Sequence, residues 1–416
     1  MKLKRNSAAL ILILQLLFII SVFFQLALIK EEFDATAPIV GLVLALFNLV
    51  SYNLLRGIFR RIDRFVLLAA QFLWSMGLCV IYRINHDLAI KQLTFIIAGM
   101  MLMVAMMLIV IRIKDFGRIN WVFMAVSACL LLGTFVFGRS IGGAKNWLRL
   151  GPFSLQPSEF VKVMYIIVSA YFLSTGKTIK AFLPYLAFSA FCVLILVVSK
   201  DLGAALLFAL TFLILFYSAT GRKLLTLAGV GVLGAGAVGS YFLFSHVRTR
   251  VDIWIDPWAD YAGSGYQIVQ GLLALASGGL LGVGVGCGMP EVIPAASTDY
   301  IFTVIGEEFG CIVAIMVVAF YIVFIIRGML IALDTKSKFD ALMVFGSTAM
   351  LAAQSFIILG GVIKLIPLTG ITLPFISAGG SSMMSSMLLL GIIEGVAVKN
   401  GVQEDEDLKL IGGEAN

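Results

Sequence analysis

The stretch STDYIFTVIGEEFGCIVAIMVVAFYIVFII, residues 297–326, decides the fold. It opens on a polar turn and becomes apolar after Asp299. From Tyr300 to Ile326 its only charges are Glu307 and Glu308. A helix of roughly 20 apolar residues crosses a bilayer core, and this run is longer than that. A carboxylate at the bilayer centre costs about 2.5–3.5 kcal/mol on the insertion scale, and less near the interface. Asp299, at the mouth, reads equally well as a helix cap or as a polar group held for chemistry. Glu307 and Glu308 lie about two turns in and need a partner or a hydrated cavity.

The rest of the chain repeats the pattern. Of 416 residues, 61% are hydrophobic and 13% charged, and the mean hydropathy is +1.06. Soluble domains carry roughly 25% charged residues, so the chain reads as an all-α polytopic membrane protein. Twelve runs are candidate spans: 8–29, 38–55, 65–83, 93–112, 119–137, 158–174, 180–198, 202–219, 224–243, 300–326, 339–360 and 381–398. The first follows MKLKRNS but is long for a signal peptide and lacks a small-x-small cleavage site. Loops 56–64, 112–118, 174–180, 221–223 and 327–338 are basic, whereas 30–37 and 85–92 are mixed or acidic. The positive-inside rule then puts both termini in the cytoplasm. The net charge of +7 follows from these loops and does not point to nucleic acid. Arg83 and Lys91 read as interface anchors. The odd, scattered cysteines (Cys79, Cys129, Cys192, Cys287 and Cys311) and two distant histidines, His86 and His246, make no disulfide framework or metal spacing.

Two outside loops stand out, 138–157 and 244–299. The second is long enough to suggest function, and its Tyr266–Leu281 segment has helical apolar spacing. Its GVGVGCG (282–288) lacks the strand and the Lys-Ser or Lys-Thr of phosphate-binding loops, so it reads as tightly turned backbone. At the outer ends of the spans, Glu159 and Lys162 share a helix face. Asp201 opens one span and Asp299 another. The cations on that side are Lys145, Arg149, Lys162, Arg248, Arg250 and Lys364. Carboxylates beside cations suit an anionic, hydroxyl-rich substrate.

Four segments carry a resemblance: GAKNWLRLGPFSLQPSEFVK (143–162), DPWADYAGSGYQIVQ (256–270), STDYIFTVIGEEFG (297–310) and LIPLTGITLPFISAGGSS (365–382). In this order they resemble the SEDS family, the FtsW/RodA/SpoVE group, over residues 65–400. Residues 1–64 would then be two helices added to a ten-helix core, and 401–416 a cytoplasmic tail. The resemblance implies a peptidoglycan glycosyltransferase that polymerises lipid II at the outer face of the cytoplasmic membrane. It implies a class B penicillin-binding protein as partner, with lipid II, the lipid-linked glycan strand and membrane lipids as the other contacts. It places the essential aspartate at Asp299. As substrate-binding candidates it marks Trp147, Glu159, Lys162 and Asp201; Lys145, Arg149, Gln267 and Ser381 join them as polar residues of the same face, with Glu307 and Glu308 expected to line or brace the cavity below Asp299. Ser199 and Lys200 replace the usual Gln-Pro before Asp201. Ala378, Gly271 and Lys364 replace a usual Tyr, Ser and Gly, so a division, elongation or sporulation role stays open.

The expected reaction is an inverting transfer with Asp299 as general base. Lys145, Arg149, Lys162 or a divalent cation such as Mg2+ would stabilise the leaving pyrophosphate. The rival readings are a lipid II flippase, whose polar path would reach the midplane, and a non-catalytic scaffold for the penicillin-binding protein.

Overall fold

The computed structural model describes the backbone of residues 2–29, 32–113, 117–141, 144–150, 153–176 and 179–413. Within these stretches the side chains of 2–6, 117–118, 139–141, 144–145, 149–150, 153, 179 and 403–413 are not described. Among the described residues there are fourteen α-helices: α1 Lys2–Leu28, α2 Thr36–Ile58, α3 Arg64–Ile84, α4 His86–Arg112, α5 Gly117–Phe137, α6 Pro157–Thr175, α7 Leu183–Val198, α8 Leu202–Thr220, α9 Lys223–Leu243, α10 Ser245–Ile255, α11 Tyr266–Gly278, α12 Ile301–Leu333, α13 Lys338–Val362 and α14 Gly380–Gly413. Twelve of them are long and apolar enough to cross a membrane, and they match the twelve expected spans. Helices satisfy every backbone group internally, which a bilayer core demands.

Helix α3 is the hub, with nearly all of its span buried, whereas α9 buries no residue. The pair α1 and α2 is fastened to α3 by polar side chains within the apolar runs. Asn48 Nδ2 donates to Ser75 Oγ (2.8 Å), and Trp74 Nε1 donates to Asn48 Oδ1 (2.9 Å). Gln71 Nε2 donates to Asn48 O and Ser51 Oγ, and Gln15 Nε2 to Leu68 O. Lipid gives helices no hydrophobic reason to associate, so such bonds and close packing do the fastening, at about 0.6 kcal/mol each. At the end of the bundle away from Asp299, Asp63 caps α3 and pairs with Arg327 of α12. Glu394 of α14 accepts from the Asp63 amide at 2.8 Å.

Three features depart from the sequence reading. Residues 138–157 are not a bare loop but carry an antiparallel sheet, β1 Arg139–Ile141, β2 Ala144–Leu150 and β3 Phe153–Leu155, in the order β1-β2-β3. The long 244–299 connection holds α10 as well as the expected α11. Helix α12 is broken at Gly310, where φ is +82°. The glycine loop enters that break: Val283 N donates to Glu307 O (2.9 Å) and Gly284 N to Glu308 O (3.1 Å). Cys311 N donates to Gly279 O (2.9 Å) and Ile312 N to Leu280 O (3.2 Å). Non-helical backbone inside a membrane fold is tolerated where protein satisfies it. A Cβ at Gly310 would collide with the loop backbone at Gly282 and Leu280.

Candidate active site

Asp299 ends the turn that leads into α12, and that turn is held from two sides. Gln267 Nε2 of α11 donates to Pro294 O at 3.1 Å. Ala378 N donates to Ser297 O at 2.9 Å, and Ser377 Oγ to Thr298 O at 2.6 Å. Gln92 of α4 fixes the 377–379 turn in its place, donating to Ser377 O and accepting from Gly379 N. Gly271 leaves room for the Tyr300 ring, which a Cβ there would meet.

Opposite the Asp299 carboxylate lies Gly370. A Cβ built on Gly370 would sit 3.5 Å from Asp299 Oδ2 and 3.7 Å from Arg250 Nη2. Arg250 Nη1 donates to Leu368 O (3.3 Å) and Thr369 O (2.8 Å). Its helix, α10, is pinned by Trp254 Nε1 to Lys364 O (3.1 Å) and by Lys364 Nζ to Ile255 O (3.3 Å). Asp299 is half-buried. Burial pushes its pKa above the ordinary aspartate value, while the Thr298 hydroxyl and the Arg250 charge pull it down.

Asp201 is close by. Gly203 lets the first turn of α8 lie against Thr369 and Ile371, where a Cβ would come within 3.0 Å of Thr369 O. Asp201 Oδ1 caps α8 at Ala204 N (3.1 Å). Its Oδ2 accepts from Asn146 Nδ2 (2.7 Å) and Gln156 Nε2 (3.3 Å). Burial raises the Asp201 pKa, against the Asn146 and Ala204 bonds. Strand alternation puts Trp147, half-buried next to Asn146 on β2, on the face of the sheet away from Asp201.

Glu159 and Lys162 lie a layer deeper. Their ion pair measures 2.6 Å, and Lys162 is only 3% exposed. Lys162 Nζ also donates to Gln354 Oε1 (2.8 Å), and Ser385 Oγ donates to Glu159 Oε2 (2.6 Å). Gln354 continues to Thr372 O (2.8 Å), and Thr372 shares a 2.6 Å bond with Ser382. Ser381 Oγ accepts from Gln156 N at 3.1 Å. This network ties α6, α13 and α14 together beneath the Asp299 turn. The expectation of a pyrophosphate-facing Lys162 is corrected: it is enclosed and partnered.

Glu307 and Glu308, expected to line or brace the cavity below Asp299, hold the glycine loop: Met289 N donates to Glu307 Oε1 (3.3 Å) and Gly286 N to Glu308 Oε2 (3.0 Å). Arg83 is not a simple interface anchor. It pairs with Glu308 (3.1 Å) and Glu291 (3.2 Å) and donates to Gly286 O and Gly288 O. Lys145 and Arg149 sit on β2, paired in register with Ser140 and Ser154, but their side chains lie outside the described residues. No three carboxylate, imidazole or thiolate groups converge among the described residues, so they form no caged metal centre. Gln92 and Gln354 are polar residues that sequence reasoning left out of the candidate site, and Arg250, counted there only as one of several cations on that side, is the one that faces Asp299. Amides inside apolar spans were the available signal for the two glutamines.

The fold and site together define a multi-pass membrane protein with a carboxylate–guanidinium pair at one end of its bundle. The sequence model of the cell cycle protein family grouping FtsW, RodA and SpoVE matches residues 58–401, and the chain belongs to that family. It is 37% identical over 367 residues to peptidoglycan glycosyltransferase RodA of Mycobacterium tuberculosis H37Rv, covering 80% of this chain and 77% of that protein. It is 33% identical over 369 residues to the probable peptidoglycan glycosyltransferase FtsW of Geobacter sulfurreducens, covering 82% and 96%. The fold is similar to that of a chain from a peptidoglycan synthase complex that coordinates polymerization and crosslinking (TM-score 0.69, 23% identity, 82% of this chain and 98% of that one). It is also similar to the rod shape determining protein RodA of Thermus thermophilus (TM-score 0.61, 22% identity, 81% and 96%).

Proposed function

We propose that the chain is a peptidoglycan glycosyltransferase that joins lipid II units into glycan strands at the outer face of the bacterial cytoplasmic membrane, with Asp299 as general base. The acceptor sugar 4-hydroxyl gives its proton to Asp299 while its oxygen attacks the anomeric carbon of the donor. The bond from that carbon to the lipid pyrophosphate breaks, and the configuration inverts. General-base catalysis contributes about 10²–10⁴-fold.

One observation carries the assignment to Asp299. Asp201, Glu159, Glu307 and Glu308 are each spent on a cap, an ion pair or backbone amides. Asp299 alone of this group is half-buried, without an ion pair of bonding length among the described residues, and faced by a guanidinium across a glycine. Lys145 and Arg149 are the proposed counter-charges for the leaving pyrophosphate. Mg2+ is a further proposal, with substrate phosphates as its main ligands, and the proton transfer does not depend on it. The partner is proposed to be a class B penicillin-binding protein that crosslinks the strands.

The test is labelled lipid II given to the purified protein, with and without that partner. Polymer from wild type and none from Asp299→Ala is the expected result. Polymer from Asp299→Ala at the wild-type rate would sink the assignment. Translocation in liposomes without polymer would favour the flippase reading. The orientation is tested at Cys287, a free, exposed thiol in the glycine loop. A membrane-impermeant maleimide should label it in intact cells, and Cys287→Ser should abolish that label.

A further inference from the structure

We propose that Arg250 is a positioning residue for the transfer: it fastens the 365–370 segment with one guanidinium nitrogen and uses the other to keep Asp299 ionised and aimed. This rests on Asp299 as the proton acceptor. The geometry gives Arg250 two jobs in one rigid fork. Nη1 is committed to the carbonyls of Leu368 and Thr369. Those bonds leave Nη2 beside Gly370, where Asp299 Oδ2 is the facing charge. A half-buried carboxylate near a cation is held in its charged form, which is the form a base needs. Burial acts in the opposite direction, so Arg250 offsets what enclosure would otherwise do to the base.

The mount explains why this arginine is conditional. Neither α9 nor α10 has a fully buried residue, and Ile253 of α10 is only partly buried against the core. Helix α10 is held at the site by the two Arg250 bonds, the Trp254 bond to Lys364 O and the Lys364 bond to Ile255 O. The other titratable groups here are few. Tyr300 follows Asp299 and is buried, and its phenol is pushed up by burial first and by the Asp299 charge second. His246 lies on α10 itself; burial, Arg250 and Lys200 lower its pKa. Neither supplies a positive charge to Asp299 in the neutral range, which leaves Arg250 as the group that does among the described residues.

The test is the pH profile of glycan polymerisation from purified lipid II by full-length wild type, Arg250→Gln, Arg250→Lys and Asp299→Ala. Loss of the cation raises the Asp299 pKa, so the acid limb of Arg250→Gln should move up by about one pH unit or more. Its deficit should approach about tenfold on the acid side of the wild-type limb and close toward wild type at high pH. Arg250→Lys keeps the charge and loses the fork, so its limb should stay near wild type while its rate falls. A pH-independent loss in Arg250→Gln with an unmoved limb overturns the proposal and makes Arg250 a substrate-binding or purely structural group. Should the Gln variant fail to fold in a detergent thermal scan, the Lys variant decides: a limb displaced by a full unit with the charge present overturns the electrostatic role. Asp299→Ala reads the other assignment separately. Polymerisation by that variant with the wild-type limb defeats the base reading itself.

Discussion

Arg83 and Glu308 form an ion pair, 3.1 Å from Nε to Oε1, although they lie on α3 and α12 and are 225 positions apart. The carboxylate side chain is 1% exposed. The pair sits where the glycine loop enters the break in α12, and Arg83 also holds the Gly286 and Gly288 carbonyls. Arg83→Ala leaves a buried carboxylate without its cation, which costs about 3–5 kcal/mol when a buried pair is broken from one side. The expected result is faster hydrogen exchange across 279–291 and lower stability in detergent. Arg83→Met with Glu308→Gln should lose less than the two single changes combined. Wild-type exchange in Arg83→Ala would show that the pair does not hold the loop.

Lys162 offers a contrast between structure and chemistry. Enclosed and bonded to Glu159 and Gln354, it should affect stability before it affects substrate. Lys162→Ala is expected to destabilise the protein by about 3–5 kcal/mol through the uncompensated Glu159. Lys162→Met with Glu159→Gln should recover most of that loss in detergent unfolding. If Lys162→Ala unfolds like wild type but binds lipid II poorly, Lys162 meets the substrate after all.

Asp201 separates a cap from a cross-brace. Asp201→Ala removes the α8 cap, worth about 1 kcal/mol, and strips Asn146 and Gln156 of their acceptor, adding about 1–3 kcal/mol if those amides stay buried. Asp201→Asn keeps a single oxygen, which serves the cap or the Asn146 and Gln156 amides but not both. Its unfolding should therefore fall between wild type and Asp201→Ala. Equal unfolding of the Asn and Ala variants would show that the cap contributes nothing.

The spans were legible because a bilayer demands long uninterrupted apolar runs, and such runs leave few alternatives. The positions of Asp299, Gln267 and Ser381 at one end follow from counting crossings. What was hidden has physical reasons. Helix α10, SHVRTRVDIWI, is short and highly charged, so it reads as loop and conceals the arginine it carries to Asp299. Arg83 stands at a span end, where a snorkelling anchor and an ion-pair partner look alike until Glu308 is placed beside it. The burial of Lys162 depends on Gln354 of α13, and no local pattern on α6 contains that. The break at Gly310 needs loop residues 279–284 to supply its hydrogen bonds, and a glycine within an apolar run does not announce them.

The pair α1 and α2, which lies almost entirely before the family match at 58–401, reaches the C-terminal end of α3 through Asp34. Tyr82 Oη donates to Asp34 Oδ2 (3.0 Å), Thr36 bonds Asp34 Oδ1, and His86 Nε2 lies 3.3 Å from Oδ2. The Thr36 hydrogen bond is the largest influence on the Asp34 carboxyl and holds its pKa below the ordinary aspartate value, against burial. A carboxylate depressed in the folded state contributes stability that is complete above its unfolded pKa, about 3.9, and is lost as pH falls through the folded value. Asp34→Asn should thus lower detergent stability, by an amount reduced by solvent screening at this partly open site. The gap to wild type should hold steady down to about pH 5 and close only in stronger acid. A gap that closes between pH 7 and 5 would overturn Asp34 as the group whose ionisation governs this contact.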